Sequence, residues 1–285
     1  MKFAIVNGNR TEAAKSIKGI CPSCGSELIA KCGEFKINHW AHKGTRTCDP
    51  WWEPETEWHR SWKNNYPNEW QEVSLTDENT GEKHIADIRT AHNLVIEFQH
   101  SHIDPEERAT REKFYRDMVW IVDGTRLKRD YPRFLKGKKD FRKTDKQGVY
   151  LVDFPDEIFP ANWIQSSVPV IFDFKGLETI DDINDARHYL YCLFNKRVGR
   201  YAILAEIPRK AFINNSIDGN WLLRVQNFND LIRLKQEQQK YIVLQQEQQS
   251  RLSKVKYRQR RGPLIDYIDK KQFSNQFKPK RNGRR

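Results

Sequence analysis

Apolar and polar residues alternate along two neighbouring stretches, His84 to Thr90 and Leu94 to Gln99, around the turn-like Ala91-His92-Asn93. Period-two alternation marks a strand with one buried face, so the segment predicts a β-hairpin. A three-residue loop sets Thr90 against Leu94, Asp87 against Glu97 and Ile85 against Gln99. One face then carries Ala86, Ile88, Leu94, Ile96 and Phe98, and the other Asp87, Arg89, Glu97 and Gln99. Upstream, EPETEWHRSWKNNYP predicts a helix opened by Pro54, with Glu55, His59 and Lys63 spaced four apart on one stripe. WQEVSL predicts a strand before the hairpin. Downstream, DPEERATREKFYRDM predicts a helix with Asp104 as N-cap and Pro105 in first position, and VWIV a buried strand ending at Asp123-Gly124. The order is helix, three strands, helix, strand.

The remaining pattern divides the chain into three. Residues 1–50 are short-stranded and rich in Cys, His and Gly. Residues 51–228 hold the core order in 51–125, then a basic loop from Arg126 to Lys146 and the strand-like runs VYLVDF, VPVIFDF and RYAILAEI. Residues 229–285 begin as a Gln-rich helix with a thin apolar stripe (Leu231, Leu234, Ile242, Leu252) and break at Gly262-Pro263. That stripe suits packing on the body or contact with a second copy in a homodimer. The fold class expected is α/β (α+β), with a small N-terminal module and a helical, basic C-terminal extension.

Charge changes this picture mainly at the end of the chain. The net charge is +12. From Arg251 onward, 13 Lys or Arg stand against 2 Asp, so about +11 of it is a property of the tail. A tail of this kind neutralises phosphates without reading sequence, which makes nucleic acid the expected partner. The basic loop at 126–146 suits guiding a phosphate backbone. The opening MKFAIVNGNR has too short an apolar run for a signal peptide, and no stretch is long enough to span a bilayer. The expected location is the cytoplasm, with no membrane partner.

Two carboxylates opposite one another on a sheet repel by up to about 1 kcal/mol. A divalent cation between Asp87 and Glu97 would offset that, and hard oxygen ligands suit Mg²⁺ or Mn²⁺. Such an ion activates water for phosphodiester hydrolysis. The plainer alternative is a solvated sheet face on which Arg89 relieves the repulsion.

The motifs CPSC, HWAH, ETEWHRSWK, IADIRT, IEFQHS and REKFYRDMVWIVDG, in that order, resemble the competence protein CoiA-like family of the PD-(D/E)XK nuclease superfamily. The resemblance covers roughly residues 20–125. It implies a restriction-endonuclease-like αβββαβ core and a Mg²⁺-dependent deoxyribonuclease. It also implies that Asp87 and Glu97 bind the metal, that Glu55 or Glu57 contributes from the helix, and that His59 positions water, phosphate or a carboxylate. The superfamily's usual lysine is Gln99 here. A neutral amide orients water but does not offset transition-state charge, so Lys63 or Arg111 is expected to supply it. The alternative is a catalytically inactive DNA-binding or recombination-accessory protein on the same fold.

Cys21-Pro22-Ser23-Cys24 is a knuckle-like turn followed by Gly25, with His39 and His42 downstream. Cys21, Cys24, His39 and His42 together suit a closed, structural Zn²⁺ site, in which Cys48 or Cys32 could replace a histidine. A redox C-x-x-C would open a helix in a βαβ setting, which this region lacks.

Overall fold

A computed structural model of the chain describes residues 1–260 except 35, 45–47, 50, 52 and 79, with backbone only at 256 and 258–260. The N-terminal residues form a separate antiparallel sheet of β1 (Phe3–Val6), β2 (Asn9–Glu12), β3 (Lys18–Ile20), β4 (Glu27–Lys31) and β5 (His39–His42), ordered β2-β1-β3-β4-β5. Its small core gathers Ala4, Leu28 and Trp40, and the Trp40 indole N–H donates to the Thr11 carbonyl at 2.9 Å.

Next come α1 (Glu57–Lys63), β6 (Gln71–Thr76), β7 (Lys83–Arg89), β8 (Val95–Gln99), α2 (Pro105–Tyr115) and β9 (Met118–Asp123), which is the order the pattern predicts. The chain continues through α3 (Asp130–Lys138), β10 (Arg142–Lys143), β11 (Val149–Val152), α4 (Ala161–Ile164), β12 (Val170–Asp173), β13 (Tyr189–Val198), β14 (Tyr201–Pro208), α5 (Arg209–Ile217) and α6 (Asn220–Arg260). The second sheet has nine strands in the order β10-β11-β14-β13-β12-β9-β8-β7-β6. Its central strands β8, β9 and β12 run parallel and its outer pairs antiparallel. VIEFQ and MVWIVD are buried at every position because helices cover both faces. Tyr115, Phe134 and Trp163 of α2, α3 and α4 join the core on one face. Trp58, Trp62, Phe212 and Trp221 of α1, α5 and α6 join the core on the other.

The structure changes three details of the sequence reading. The segment read as a basic loop from Arg126 to Lys146 contains α3 and β10, because Phe134 is buried against Tyr191 at a ring separation of 4.3 Å. Its basic residues mask the aromatic side chains, Tyr131 and Phe134, that anchor the helix. The strand β13, YLYCLFNKRV, lies between two predicted strands and was not anticipated. Finally, α1 starts at Glu57, with Thr56 as N-cap accepting from the His59 N–H, so Glu55 precedes the helix.

Asp173, at the end of β12, has no exposed surface. Its carboxylate accepts the indole N–H groups of Trp58 and Trp62, each at 3.0 Å, and pairs with Arg209. A buried charge is tolerated only with such partners, and here the partners pin α1 to the sheet.

The chain divides into two units, Met1–Asp230 and Leu231–Arg285. The described part of the second is helix, with Leu231, Leu234, Tyr241, Ile242 and Leu252 exposed. Gly262-Pro263 and most of the basic tail lie outside the described residues. Among the described residues, no helix is long and apolar enough to cross a membrane.

Candidate functional site

The pairings Gln71 with Ile88 and Val73 with Ala86 set Glu72 opposite Asp87, and Ile88 with Ile96 sets Asp87 opposite Glu97. Three acids therefore share one row across β6, β7 and β8, and the backbone ladder opens along it. Glu72 sits in the left-handed region at φ 49°, a conformation that costs a non-glycine residue about 1–3 kcal/mol. Beyond Ile88 the strands β7 and β8 part, so Ile85 and Gln99 make no ladder pair. Side chains replace the missing rungs. The Asp87 N–H donates to Glu97 Oε1 and the Phe98 N–H to Asp87 Oδ2, both at 3.0 Å.

Six carboxylates (Asp49, Glu53, Glu55, Glu72, Asp87, Glu97) and two side-chain cations, Lys63 and Arg111, line a cavity of about 60 Å³ at this opening. Lys63 Nζ lies 2.9 Å from Asp87 Oδ1, 3.3 Å from Glu72 Oε1 and 3.6 Å from Glu55 Oε1. Burial alone would lower its pKa, but Asp87, Glu55 and Glu72 hold it well above the ordinary lysine value. Lys63 is thus a fixed ammonium and not a base. Burial pushes Glu55 up, yet Lys63 and Arg60 outweigh that and bring it down to about 2. Glu97 goes the other way. Burial and the neighbouring Asp87 charge raise it to about 8, although Arg111 pairs with it at 3.3 Å. The site holds more negative charge than its cations neutralise, which is the condition that favours a divalent ion.

Among the expected site residues, Asp87, Glu97, Glu55 and His59 line this cavity. Glu57 does not; it is exposed beside Lys175 and Glu178. Both ring nitrogens of His59 have protein partners. Nε2 lies 3.0 Å from the Phe98 carbonyl, so it donates, and Nδ1 accepts from the Thr56 N–H at 3.3 Å. His59 thereby ties α1 to β8. Gln99 is buried outside the cavity lining, with Nε2 at 3.4 Å from the Ser101 carbonyl. Its Oε1 has no hydrogen-bond partner among the described residues. Asp87 and Glu97 offer hard carboxylate oxygens of the kind Mg²⁺ takes alongside waters.

Sequence reasoning missed Glu72, Glu53 and Asp49. The turn from Asp77 to Glu82, closed by an N–H to carbonyl bond of 2.8 Å, sets the register that faces Glu72 with Asp87. That turn was the available signal. Glu53 and Asp49 come from an irregular segment and gave none. Glu72 also accepts the backbone N–H groups of Lys2 and Phe3 at 2.6 and 3.0 Å, which docks β1 against the acidic row.

The cysteine cluster corrects one expected ligand. Cys21 Sγ, Cys24 Sγ, His42 Nε2 and Cys48 Sγ all lie within 4.8 Å of one another. Cys21 and Cys48 are 4.0 Å apart, Cys24 and His42 3.4 Å, and Cys48 and His42 3.6 Å. A tetrahedral Cys₃His zinc site requires edges of about 3.5–3.8 Å. Cys48 thus stands where His39 was expected. His39 and His42 lie three apart on β5, and an odd spacing on a strand sends side chains to opposite faces. His39 instead bonds the Ile37 carbonyl at 2.9 Å. Gly25 at φ 74° closes the knuckle, its N–H donating to the Cys21 carbonyl at 2.9 Å. Burial raises the Cys24 thiol, but bonds from Ser26, His42 and Cys21 prevail and bring it to about 6, toward the thiolate a metal needs. In purified protein, Cys48→Ser is expected to lose its equivalent of bound zinc and His39→Ala to keep it, as measured by elemental analysis. The reverse result would restore His39 as the ligand.

Residues 7–50 match the family model for the N-terminal domain of competence protein CoiA, and residues 82–157 that for its nuclease-like domain. Competence protein CoiA of Bacillus subtilis (strain 168) is 29% identical over 144 residues, covering 46% of this chain and 38% of that protein. The chain therefore spans well under half the length of this curated relative. No solved structure matches the chain.

Proposed function

We propose, for a chain that its two matched domains assign to the CoiA-like family, a metal-dependent nuclease of PD-(D/E)XK type that hydrolyses DNA phosphodiester bonds. The acidic row carries this reading: Asp87 and Glu97 meet where β7 and β8 part, and Lys63, the ammonium beside Asp87, is shared with Glu55 and Glu72. Mg²⁺ or Mn²⁺ held by Asp87 and Glu97 would supply a Lewis acid and an activated water.

The chain's own groups have separate tasks. Lys63 holds a permanent positive charge 2.9 Å from Asp87, supplying from α1 what the superfamily's lysine supplies from the position of Gln99. Gln99 offers a buried oxygen that can orient a water. His59 is a positioning residue that holds α1 at the distance Lys63 requires. The Cys₃His cluster, with four protein ligands, leaves no open position and serves as a structural Zn²⁺ site. The basic tail adds phosphate contacts without sequence preference, and the cytoplasm is the proposed location.

A cleavage panel over single-stranded, double-stranded and branched DNA and RNA, with Mg²⁺, Mn²⁺ or EDTA, tests the proposal. Metal-dependent cut DNA is the expected result. Wild-type protein that binds every substrate and cuts none would favour the second reading, a non-cleaving DNA-binding protein. The pairing of both carboxylates with Lys63 and Arg111 supports that alternative, because it partly balances the row without an ion.

The Gln-rich helix is proposed as a homodimer contact, since Leu231, Leu234, Tyr241, Leu252 and Val255 recur at spacings of three, seven, eleven and three residues and are exposed. Sedimentation should show twice the monomer mass for the full chain and the monomer for a chain ending at 228. Equal association states would remove the proposal.

A further inference from the structure

A second polar cavity, of about 230 Å³, opens at the carboxyl ends of the parallel strands β8 and β9. Crevices at the carboxyl ends of parallel strands are where open α/β sheets bind ligands. We propose that this cavity is a subsite for a nucleic-acid phosphate, resting on the nuclease reading for what lies beside it. The Ser101 N–H, on its rim, donates to Glu53 of the acidic cavity. The His100 ring lies 6.2 Å from the His59 ring.

The lining is cationic, and its cations are available. Arg126 and Arg129 are exposed, and neither has an ion pair among the described residues. Arg133 gives one arm to Asp130 at 3.0 Å, while its Nε is buried with no partner among the described residues. The two carboxylates of the cavity are already engaged, Asp130 by Arg133 and Asp123 by three donors. Asp123 Oδ1 accepts the Thr125 N–H at 2.8 Å and its hydroxyl at 2.6 Å, and Oδ2 takes His100 Nδ1 at 2.7 Å. This saturated, buried carboxylate orients the His100 ring and leaves Nε2 as the ring's remaining polar atom. The Asn162 amide donates to His102 Nδ1 at 3.2 Å, which leaves the N–H of that ring on Nε2. Two oriented imidazoles and three arginines match the oxygens of a phosphate, and the guanidinium fork is the group suited to them.

The same chemistry is offered by a backbone phosphate next to the scissile bond and by the terminal phosphate of a strand end. Binding of the full-length protein to a single-stranded DNA oligonucleotide in EDTA, as a function of salt, separates this proposal from cleavage. In the Arg126→Ala/Arg129→Ala variant, affinity should fall at least about tenfold. The slope of log affinity against log salt should shrink by about 1.4, the expectation for two lost phosphate contacts on a single strand. Both substitutions are at exposed positions, and an unchanged melting temperature verifies folding. Comparing 5′-phosphorylated with 5′-hydroxyl strands identifies the source. A wild-type preference lost in the variant means a terminal phosphate, and equal binding of the two strands with the reduced slope means a backbone phosphate. An unchanged affinity and slope overturn the subsite even if the wild type cleaves DNA. A reduced slope in a protein that never cleaves keeps the subsite and removes the nuclease.

Discussion

Metal-dependent DNA cleavage is expected to fall by about 10³-fold or more in Asp87→Ala and in Glu97→Ala, while DNA binding in EDTA stays within a few-fold of wild type. Three decades in rate correspond to about 4 kcal/mol of transition-state stabilisation, within what a correctly held metal supplies. The pH dependence is a second check on the same residues. Glu97, raised from the usual 4.5 to about 8, carries its proton at neutrality, and a metal has to displace that proton. Apparent metal affinity should therefore rise about tenfold per pH unit up to about pH 8 and level off above it. The sign for stability is opposite. With the folded pKa above the unfolded one, the native state binds the extra proton between 4.5 and 8, so metal-free stability falls as pH rises across that window. Isothermal titration with Mn²⁺ at several pH values and urea melts in EDTA read the two effects. A metal affinity independent of pH would remove Glu97 from the ligand set.

Lys63→Met should cost about 3–5 kcal/mol of stability near neutral pH, as expected when one partner of a buried ionic cluster is removed. Glu55, Glu72 and Asp87 would then face one another without the ammonium between them. Glu55 is held at about 2 in the folded chain, so its contribution is present above 4.5 and is lost as pH falls through about 2. Without Lys63 that contribution is missing at neutrality. The stability gap between variant and wild type should therefore narrow as pH drops below 4.5, read by urea melts at about pH 7 and about pH 3.5. Cleavage by the folded variant should also fall, by about 10²-fold or more, because Lys63 is the side-chain ammonium paired with Asp87 among the described residues. Full cleavage in Lys63→Met would assign the transition-state charge to Arg111.

Much of the core was legible in the sequence because its signals are local. Asp104 and Pro105 open α2 as their residue types require, with the Asp104 carboxylate accepting the Glu106 N–H at 2.8 Å. The hairpin loop was read as Ala91-His92-Asn93, and its closing bond from the Thr90 N–H to the Leu94 carbonyl measures 2.9 Å. A strand slipped by one residue would have turned Ile88, Ile96 and Phe98 away from the core, so burial enforces the register. The pairing of Asp87 with Glu97 followed from that register alone. The C-x-x-C knuckle was equally plain, whereas its fourth ligand was not, because Cys48 arrives from a loop whose path no periodicity describes.

The amino-acid sequence alone determined which residues alternate, where helices begin, and that two acids would oppose each other across a hairpin, since each depends on backbone geometry within about ten residues. Tertiary structure decided the rest: Glu72 joining the row from a third strand, Lys63 reaching it from α1, and Asp123 holding His100 beside a cluster of arginines. Those contacts join residues far apart in the chain, and Glu72 and Lys63 acquire shifted pKa values only when packing brings them together out of water. No local pattern carries that desolvation, so the chemistry of the site became visible only in the assembled fold.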